Sequence, residues 1–370
     1  MNADLAAWLQ LCEAPGVTPS AARGLLAALG SPDAVLGAAH GRIAALTDAE
    51  TADAVTASGA AALAGRLARV DHWLALGRRR VVTLADADYP QRWLDLPSPP
   101  VHFYLHGSAG AWPGPAVALV GSRNASIGGA AIARDLARSL GVRSIAIVSG
   151  LAHGIDAAAH LGALDAGART VAILGTGCDV VYPSRHRALA QSIVEDGGAV
   201  LSEAPLGTGA QRFLFPRRNR LIAALSMGVV VVEAALRSGS LITARLAGDL
   251  GREVLAVPGS IHSPLSKGCH RLIKEGAQLV DGVDNVLAAI GLEPAADETA
   301  APDGSAPAGP LPTYLARMGH EPFTLEALAR CSGEAVKTLL GELAIAEIEG
   351  RIQRLDASRW QRLDRPAGRL

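Results

Sequence analysis

The feature that most constrains this chain is the segment Ala116–Leu140, which has the pattern of a buried strand, a tight turn and a helix. It opens on the apolar run AVALV, which is typical of a strand covered on both faces. Gly121, Ser122 and Arg123 form the turn, and apolar residues at helical spacing follow it. A glycine turn that leads into a helix brings backbone N–H groups to an anion, and an arginine adds a planar fork suited to phosphate. A tight turn with a solvated arginine fits the same residues equally well, so this segment alone leaves both interpretations open.

Alternating strand and helix patterns continue through the middle of the chain, as they do in sheets whose strands are joined by crossover helices. We therefore predict a doubly wound α/β fold with a mostly parallel, extended Rossmann-like sheet. The predicted strands cover residues 81–84, 102–105, 116–120, 144–148, 170–174, 199–201, 229–232 and 253–257. The predicted helices cover residues 128–140, 155–166, 184–195, 220–226 and 241–250.

A chain of 370 residues is expected to fold as more than one domain. We predict an N-terminal helical module over residues 1–76, similar to SAM-like or helix-hairpin-helix modules, and the α/β core over residues 77–290. Residues 291–310 are rich in Ala, Pro, Gly and Asp and are expected to form a flexible linker. Residues 311–370 have the pattern of a winged-helix domain. The second helix of this domain carries one lysine among several glutamates, so we expect it to contact protein rather than DNA.

The charge composition excludes a chain that is basic throughout, because 34 Lys and Arg residues face 35 Asp and Glu residues. Nucleic-acid binding would therefore need a local basic patch. The segment MNADLAAWLQ lacks the basic start of a secretory signal, and no uncharged stretch is long enough to span a bilayer. Cys12, Cys178, Cys269 and Cys331 are scattered without a C-x-x-C, which argues against structural zinc and a disulfide framework. We expect a cytoplasmic protein without membrane contact.

Small and polar residues follow the predicted strands at the points where the strands end. Parallel sheets bind ligands outside these carboxyl ends, so the ends together predict a crevice in which a ligand touches backbone. The segments concerned are 121–123, 149–156, 175–179, 202–205, 233 with 238–240, and 258–260.

Several titratable residues lie in or near these segments. Asp156 and His160 are four residues apart on one predicted helix and could pair, or bind a metal together with His153. A helix-start carboxylate paired to a neighbour is the favoured interpretation. Three further carboxylates could bond sugar hydroxyls or cap helices, and the sequence does not decide between these roles. They are Asp179, Glu203 and Glu233.

The segment QRFLFPRRNR, residues 211–220, interleaves arginines with Phe213 and Phe215. The chain has 4 Phe in all, so two of them inside one arginine cluster are informative. Arginine gives phosphate contacts, and an exposed aromatic ring gives a stacking face for an unpaired base. A solvated basic loop with Phe215 in the core is the alternative, but the position beside a crevice favours binding.

Motifs of several enzyme classes are missing from the sequence. It contains no G-x-x-x-x-G-K-[ST] phosphate loop, no GxGxxG fingerprint after the first core strand and no G-x-S-x-G elbow. It also lacks a close carboxylate cluster of the kind that a metal nuclease needs. We therefore expect no catalytic constellation, no cofactor and no metal.

Six motifs stand in order between residues 121 and 273: GSRNAS, SGLAHGIDAAAH, LGTGCDVVYPSRH, FPRRNRLIAALS, VVEAALRSGSLITA and VLAVPGSIHSPLSKGCHRLI. Together they resemble the DprA/Smf family of bacterial DNA-processing proteins. The resemblance covers about residues 81–290 and implies a protein that binds single-stranded DNA without strict sequence preference. It further implies that the protein protects incoming strands in natural transformation, loads a RecA-type recombinase and forms a homodimer through the α/β core, without catalysis.

The resemblance assigns phosphate binding to the turn after the first core β-strand. It assigns binding of single-stranded DNA to the arginine–phenylalanine segment, residues 211–220. In YPSRH, relatives often carry a basic residue directly after the proline, where this chain has Ser184 and places its charge at Arg185 instead. Together with the carboxyl ends of the β-strands, these motifs predict the full set of residues that bind single-stranded DNA. The set is Gly121, Ser122, Arg123, Ser149, Gly150, Gly154, Arg185, Arg212, Phe215, Arg217, Arg218, Asn219, Arg220, Ser238, Gly239, Ser240 and Lys267.

An enzyme is the alternative. The core is also similar to the nucleotide-binding fold of the LOG-type "lysine decarboxylase" family, which cleaves nucleoside monophosphates at the glycosidic bond. The segment SGSLITA is loosely similar to the PGGxGT loop of that family, and Glu233 would suit a position near the sugar. The missing Pro-Gly-Gly, the arginine cluster and the two flanking modules argue against it.

Overall fold

The chain forms two compact units, Met1–Pro294 and Ala295–Leu370. The computed structural model describes residues 3–56, 60–112, 114–293, 312, 314–315, 318, 322–356 and 358–362. Residues 294–310, most of the predicted linker, lie outside the described residues, and the predicted domain limits stay predictions. Over the described part of the chain, no helix is both long enough and apolar enough to cross a membrane.

The first unit is built on a nine-stranded sheet with the order β1-β2-β6-β5-β4-β3-β7-β8-β9. The strands from β6 to β9 in this order run parallel, whereas β1 pairs antiparallel with β2 and β2 antiparallel with β6. The strands are β1 (Arg79–Thr83), β2 (His102–Gly107), β3 (Ala116–Val120), β4 (Ala146–Ser149), β5 (Thr170–Leu174), β6 (Ala199–Ser202), β7 (Gly228–Val231), β8 (Glu253–Ala256) and β9 (Gln278–Leu279).

Within the described residues of the first unit, thirteen α-helices accompany this sheet. Six precede it: α1 (Ala3–Cys12), α2 (Pro19–Leu29), α3 (Pro32–Leu36), α4 (His40–Leu46), α5 (Ala49–Thr56) and α6 (Ala60–Ala75). The others follow individual strands: α7 (Ile127–Val142), α8 (Ile155–Asp165), α9 (Arg187–Glu195), α10 (Leu214–Leu225), α11 (Gly239–Asp249), α12 (Lys267–Lys274) and α13 (Val283–Ala289).

The parallel strands β3, β4, β5, β6 and β7 are buried because helices cover both faces of the sheet, whereas the edge strand β9 is exposed. Along β3, Ala116, Ala118 and Val120 pack on one face, against residues of α10, α11 and α12. Val117 and Leu119 point to the opposite face, against α7, α8 and α13. Two-sided burial explains why the parallel strands are continuous apolar runs rather than alternating ones. The predicted α/β fold with a mostly parallel sheet is confirmed.

Most predicted limits agree with the structure, and one helix does not. The limits of β3 and β5 are those predicted, and the other predicted strands lie within two residues of the observed ones. The prediction that α10 begins at Arg220 is wrong, because the helix begins at Leu214 and includes the arginine segment. Pro216 lies in its first turn, where N–H groups have no intrahelical partner and proline is tolerated. The sequence reasoning also missed α12, α13 and β9.

The N-terminal helices join the antiparallel edge of the sheet through a buried polar cluster just after α1. The Tyr104 hydroxyl donates to the Glu13 carboxylate, and His102 Nε2 lies 3.5 Å from the same carboxylate oxygen. Burial lowers the pKa of His102, but hydrogen bonds with Cys12 and Glu13 outweigh it and raise that pKa to about 10. Burial likewise disfavours the Glu13 carboxylate, yet His102 outweighs it and holds the pKa of Glu13 below its usual value. The helices and the sheet therefore share an ion pair as well as an apolar core.

The second unit is small, and its described residues include two helices, given below, and a three-stranded antiparallel sheet of order β10-β12-β11. Leu328, Leu339, Leu343 and Trp360 are among the residues of its core. Its designation as a winged helix stays a prediction, as does the SAM-like designation of the N-terminal helices. Its elements are β10 (Phe323–Thr324), α14 (Leu325–Ser332), α15 (Val336–Ile348), β11 (Ile352–Arg354) and β12 (Arg359–Arg362).

Candidate nucleic-acid interface

The strand order reverses between β3 and β7, and this reversal positions the candidate site. From β3 the chain continues to β4, β5 and β6 on one side, and then crosses to β7, β8 and β9 on the other. Connections that leave two adjacent strands in opposite directions open a crevice outside their carboxyl ends. A cleft of about 640 Å³ lies there. Its lining residues are Val120, Gly121, Ser122, Arg123, Asn124, Ala152, Asp156, Tyr182, Arg212, Phe215, Pro216, Arg218, Asn219, Ile222, Ala235, Arg237, Ser238, Gly239, Ser240 and Thr243.

The turn after β3 is held against the start of α8 by two glycines. A Cβ on Gly121 would lie 2.6 Å from Ile155 Cγ1, so a side chain there would push the turn away from α8. Gly154 has φ 72° and ψ −121°, a conformation that side chains with a Cβ rarely adopt. A Cβ on Gly154 would also overlap the carbonyl oxygen of Ser122, which accepts a hydrogen bond from the N–H of Ile155 (3.2 Å). Close backbone approach thus fixes where Ser122 and Arg123 enter the cleft.

The cationic segment of α10 separates into buried and accessible arginines. Arg218 is 6% exposed and its guanidinium donates to the Ile173 carbonyl, directly above Gly150, where a Cβ would overlap it. Burial lowers the pKa of Arg218 to about 10, although the negative charge of Asp156 partly opposes this shift. Arg218 therefore forms part of the floor of the cleft.

Two other arginines of α10 are engaged with Glu203. Arg220 pairs with this carboxylate and also donates to the Ser98 carbonyl (2.8 Å). Arg217 lies 3.6 Å from the same carboxylate, with half of its side chain exposed. Arg123 and Arg212 are exposed residues of the cleft lining, so they present their charge to a ligand.

A stack of planar groups stands at the cleft wall. The Arg123 guanidinium carbon lies 5.2 Å from the centroid of the Phe215 ring, and the Tyr182 ring lies 5.6 Å from Phe215 at 42°. Phe215 is half-buried and is a member of none of the buried core clusters, so the interpretation that places it in the core does not describe it. Tyr182 is 46% exposed, and sequence reasoning missed it. The aromatic residue that opens the basic YPSRH loop was the available signal.

The start of α11 forms the facing wall. The Ser238 side chain caps this helix by accepting from the N–H of Ser240 (3.3 Å), and their hydroxyls lie 2.6 Å apart. The positive end of the helix dipole thereby faces the cleft, which favours an anion. Asn124 and Arg237, which sequence reasoning did not select, also line the cleft.

The structure gathers ten of the predicted residues at the lining and leaves seven outside it. Among the seven, Gly150 and Gly154 lie directly behind the lining, and Ser149 is buried with its hydroxyl on the Leu119 carbonyl (2.7 Å). The Lys267 ammonium donates to the Ile261 carbonyl near the start of α12. Arg217 and Arg220 pair with Glu203, and Arg185 contacts His153. The ten are Gly121, Ser122, Arg123, Arg212, Phe215, Arg218, Asn219, Ser238, Gly239 and Ser240.

Asp156 and His160 have separate partners. Asp156 accepts from the N–H groups of Gly150 (3.1 Å) and Ala152 (3.3 Å). Burial raises its pKa, against the opposing effects of Arg218 and these N–H groups. His160 bonds the Thr170 hydroxyl (2.7 Å), and burial lowers its pKa to about 3. Within the described part of the chain, no group of three His, Cys, Asp or Glu side chains is arranged to hold a metal.

The remaining carboxylates near the cleft bond protein groups. Glu233 accepts from the N–H of Ser126 (2.9 Å) and from its hydroxyl, and so it anchors the start of α7. Asp179 accepts from the N–H of Gly207 (2.8 Å). The Glu233 contact corresponds to the capping alternative that the sequence left open, whereas Asp179 bonds a turn outside any helix.

The fold and its switch-point crevice define a Rossmann-like α/β protein, a class in which ligands bind outside the carboxyl ends of the strands. Residues 80–291 match the family described as DNA recombination-mediator protein A, and the chain belongs to this family. The Protein Smf of Escherichia coli (strain K12) is 40% identical over 286 residues, which are 76% of this chain and 76% of that protein. The resemblance to the DprA/Smf family is thereby confirmed.

Solved structures of family members are similar to this chain. The X-ray structure of DNA processing protein A (DprA) from Streptococcus pneumoniae aligns with a TM-score of 0.66 and 36% identity, over 76% of this chain and 97% of that one. DNA processing protein A from Helicobacter pylori, whose structure is described in terms of its single-stranded DNA binding mode, aligns with a TM-score of 0.52 and 30% identity. That alignment covers 56% of this chain and 94% of the other.

Proposed function

We propose that this protein binds single-stranded DNA in the switch-point crevice, without strict sequence preference. The observation that carries this proposal is the stack of Arg123, Phe215 and Tyr182 beside the exposed Arg212. Arginines neutralise phosphates and aromatic faces stack on unpaired bases, and neither contact identifies a base. The cleft volume of about 640 Å³ suits a nucleotide-sized group. The described binding mode of the Helicobacter pylori relative supports the same ligand.

The wider role follows from membership of the family. We propose that the protein protects incoming strands in natural transformation and loads a RecA-type recombinase onto them. A homodimer formed through the α/β core would place two crevices on one strand and raise avidity without a new contact. Light scattering measures the dimer, and joint gel retardation with a purified recombinase measures the loading complex.

The hydrolase alternative has no specific observation in its favour. It needs a carboxylate that is free to act near a sugar, whereas Glu233 is committed to the start of α7. Release of free base from AMP by the purified protein would support the hydrolase alternative.

We expect tighter binding to single strands than to duplexes, with an affinity that falls as salt rises. The logarithm of the affinity should fall by about 0.7 per log unit of salt for each phosphate neutralised.

Arg123→Ala should weaken binding for all sequences alike and make the salt dependence shallower by about one phosphate. Fluorescence anisotropy with labelled oligonucleotides at several salt concentrations measures both effects.

Arg143→Ala is the matched control for that variant. Arg143 follows the end of α7, at the edge of the sheet opposite to the crevice, and its guanidinium bonds the Ser139 carbonyl. Binding and salt slope should both be unchanged by this variant. Binding that is independent of salt, or a clear preference for duplex, would contradict the proposal.

We expect a chain that ends after Glu293 to keep most of its affinity for single strands. All residues that line the cleft lie between Val120 and Thr243, within the first compact unit. The truncation should be made there because Ile290 is buried and Leu292 packs against the same core. Anisotropy and circular dichroism of the shortened protein check the result. A folded but non-binding product would mean that the second unit is a DNA-binding module.

A further inference from the structure

Two histidines and an arginine form a cluster next to the crevice. The rings of His153 and His186 are nearly perpendicular, with 3.3 Å between His153 Nδ1 and His186 Nε2. Arg185 Nε lies 2.9 Å from the same His153 Nδ1. His186 Nδ1 lies 2.8 Å from the carbonyl oxygen of Leu151, a residue with φ 57°. Sequence reasoning selected Arg185 from this group but neither His186 nor this pairing.

The partners fix most of the hydrogens in the cluster. A carbonyl oxygen accepts only, so His186 Nδ1 carries a hydrogen. Arg185 Nε always donates, so His153 Nδ1 accepts and its ring hydrogen lies on Nε2. When both rings are neutral, a lone pair on His186 Nε2 therefore faces the lone pair on His153 Nδ1. One additional proton on His186 Nε2 turns this repulsion into a hydrogen bond between the rings.

The surroundings of the cluster are cationic. Burial, followed by Arg185, His186 and Arg123, holds the pKa of His153 below its ordinary value. The buried Asp156 accepts from backbone N–H groups rather than from either ring, and burial keeps His160 neutral at physiological pH. In the protein alone, these charges therefore disfavour a proton on His153. An anion beside the cluster would remove this penalty.

The cluster adjoins the crevice on both of its segments. His153 follows Ala152, and Arg185 and His186 lie just beyond Tyr182; Ala152 and Tyr182 both line the cleft. Arg123, one of the exposed arginines of the cleft, acts electrostatically on His153. A strand whose base stacks in the cleft would bring a neighbouring phosphate to this cationic group.

We propose that His153, His186 and Arg185 form an anion subsite that holds one backbone phosphate beside the crevice and takes up one proton as it fills. The inference rests on the proposed binding of single-stranded DNA and adds a specific contact to it. Linkage is reciprocal, so phosphate binding favours the proton and the proton favours phosphate binding. Because one histidine gains charge, affinity rises as the pH falls.

The test uses the full-length protein and a short oligothymidylate, whose bases gain no proton near neutral pH. Anisotropy at constant ionic strength should show the wild-type protein binding at least about fivefold more tightly at pH 6 than at pH 8. Calorimetry in two buffers of different ionisation enthalpy should show proton uptake on binding. His186→Asn should lose the pH dependence and the proton uptake, since its amide can still donate to the Leu151 carbonyl but cannot titrate. His72→Asn, an exposed histidine of α6, should keep both effects.

Three other outcomes of these measurements would overturn the anion subsite. Wild-type binding that is tight but independent of pH overturns the subsite and leaves the proposed function standing. A pH dependence that persists in His186→Asn also overturns it, because the proton then binds elsewhere. Failure of the wild-type protein to bind oligothymidylate at either pH overturns the proposed function and this inference with it.

Discussion

Replacing Gly154 by alanine should destabilise the protein by about 2–4 kcal/mol, which combines the backbone strain at this position with overpacking. The φ of 72° and ψ of −121° disfavour any residue with a Cβ. The new methyl group would also overlap the Ser122 carbonyl oxygen and lie 2.8 Å from that of Arg123. Relief of the overlap requires movement of the turn that presents Arg123 to the cleft. Urea denaturation should therefore show reduced stability, and anisotropy should show weaker binding by the folded fraction.

Two glycines provide controls that separate the causes. Gly167 has φ 61° but open space around a Cβ, so Gly167→Ala should report the backbone strain without the overlap. Gly239 lines the cleft, has open space and needs no left-handed conformation, so Gly239→Ala should leave stability within about 0.5 kcal/mol of wild type. A Gly154→Ala protein as stable as wild type would contradict the close approach of α8 to the turn after β3.

Phe215→Ala should weaken single-strand binding by about 1–3 kcal/mol, or roughly 5- to 150-fold, because a stacking face is lost. The salt slope should stay nearly unchanged, since no phosphate contact is removed. The ring is half-buried and outside the core clusters, so the cost in stability should fall below the 3–5 kcal/mol that is typical of core phenylalanines. Anisotropy and thermal unfolding measure the two quantities on one preparation.

Phe213→Ala is the matched control for this experiment. Phe213 is 64% exposed at the N-terminal end of α10, two residues away, and does not appear in the lining of the cleft. Its truncation should leave both affinity and melting temperature near wild type. If the Phe213 variant lost affinity and the Phe215 variant did not, the stacking face would have been assigned to the wrong ring.

The burial of the central strands explains which parts of the fold could be predicted from the sequence. The run of β3 is apolar throughout and that of β5 is apolar after Thr170, because helices cover both faces, so composition marked their limits. The residues after these strands were recognised as a crevice because parallel strands share one ligand-binding edge. The sequence did not predict which two strands flank the crevice, because strand order depends on pairings between segments that are distant in sequence.

The arginine segment shows that the burial and direction of individual side chains could not be predicted from the sequence. Arg217 and Arg218 are neighbours of the same type, yet one is half exposed and the other is buried under the cleft. Composition identified a cationic cluster but not the direction of each guanidinium, which depends on the start of α10 at Leu214. The partner of Glu233, the hydroxyl and N–H of Ser126, is likewise set by the pairing of β3 with β7.

The pairing of β3 with β7 also orders events during synthesis. A ribosome releases β3, β4, β5 and β6 with their helices before β7 exists, so β3 first acquires one neighbour and keeps a bare edge on the other side. Unpaired edges of apolar strands promote aggregation, and the nascent chain carries this risk until β7 arrives. The crevice has no facing wall before that moment, because the start of α11, which forms this wall, follows β7 in the chain. A ribosome stalled before β7 would hold a half-sheet that has folded helices and an incomplete cleft.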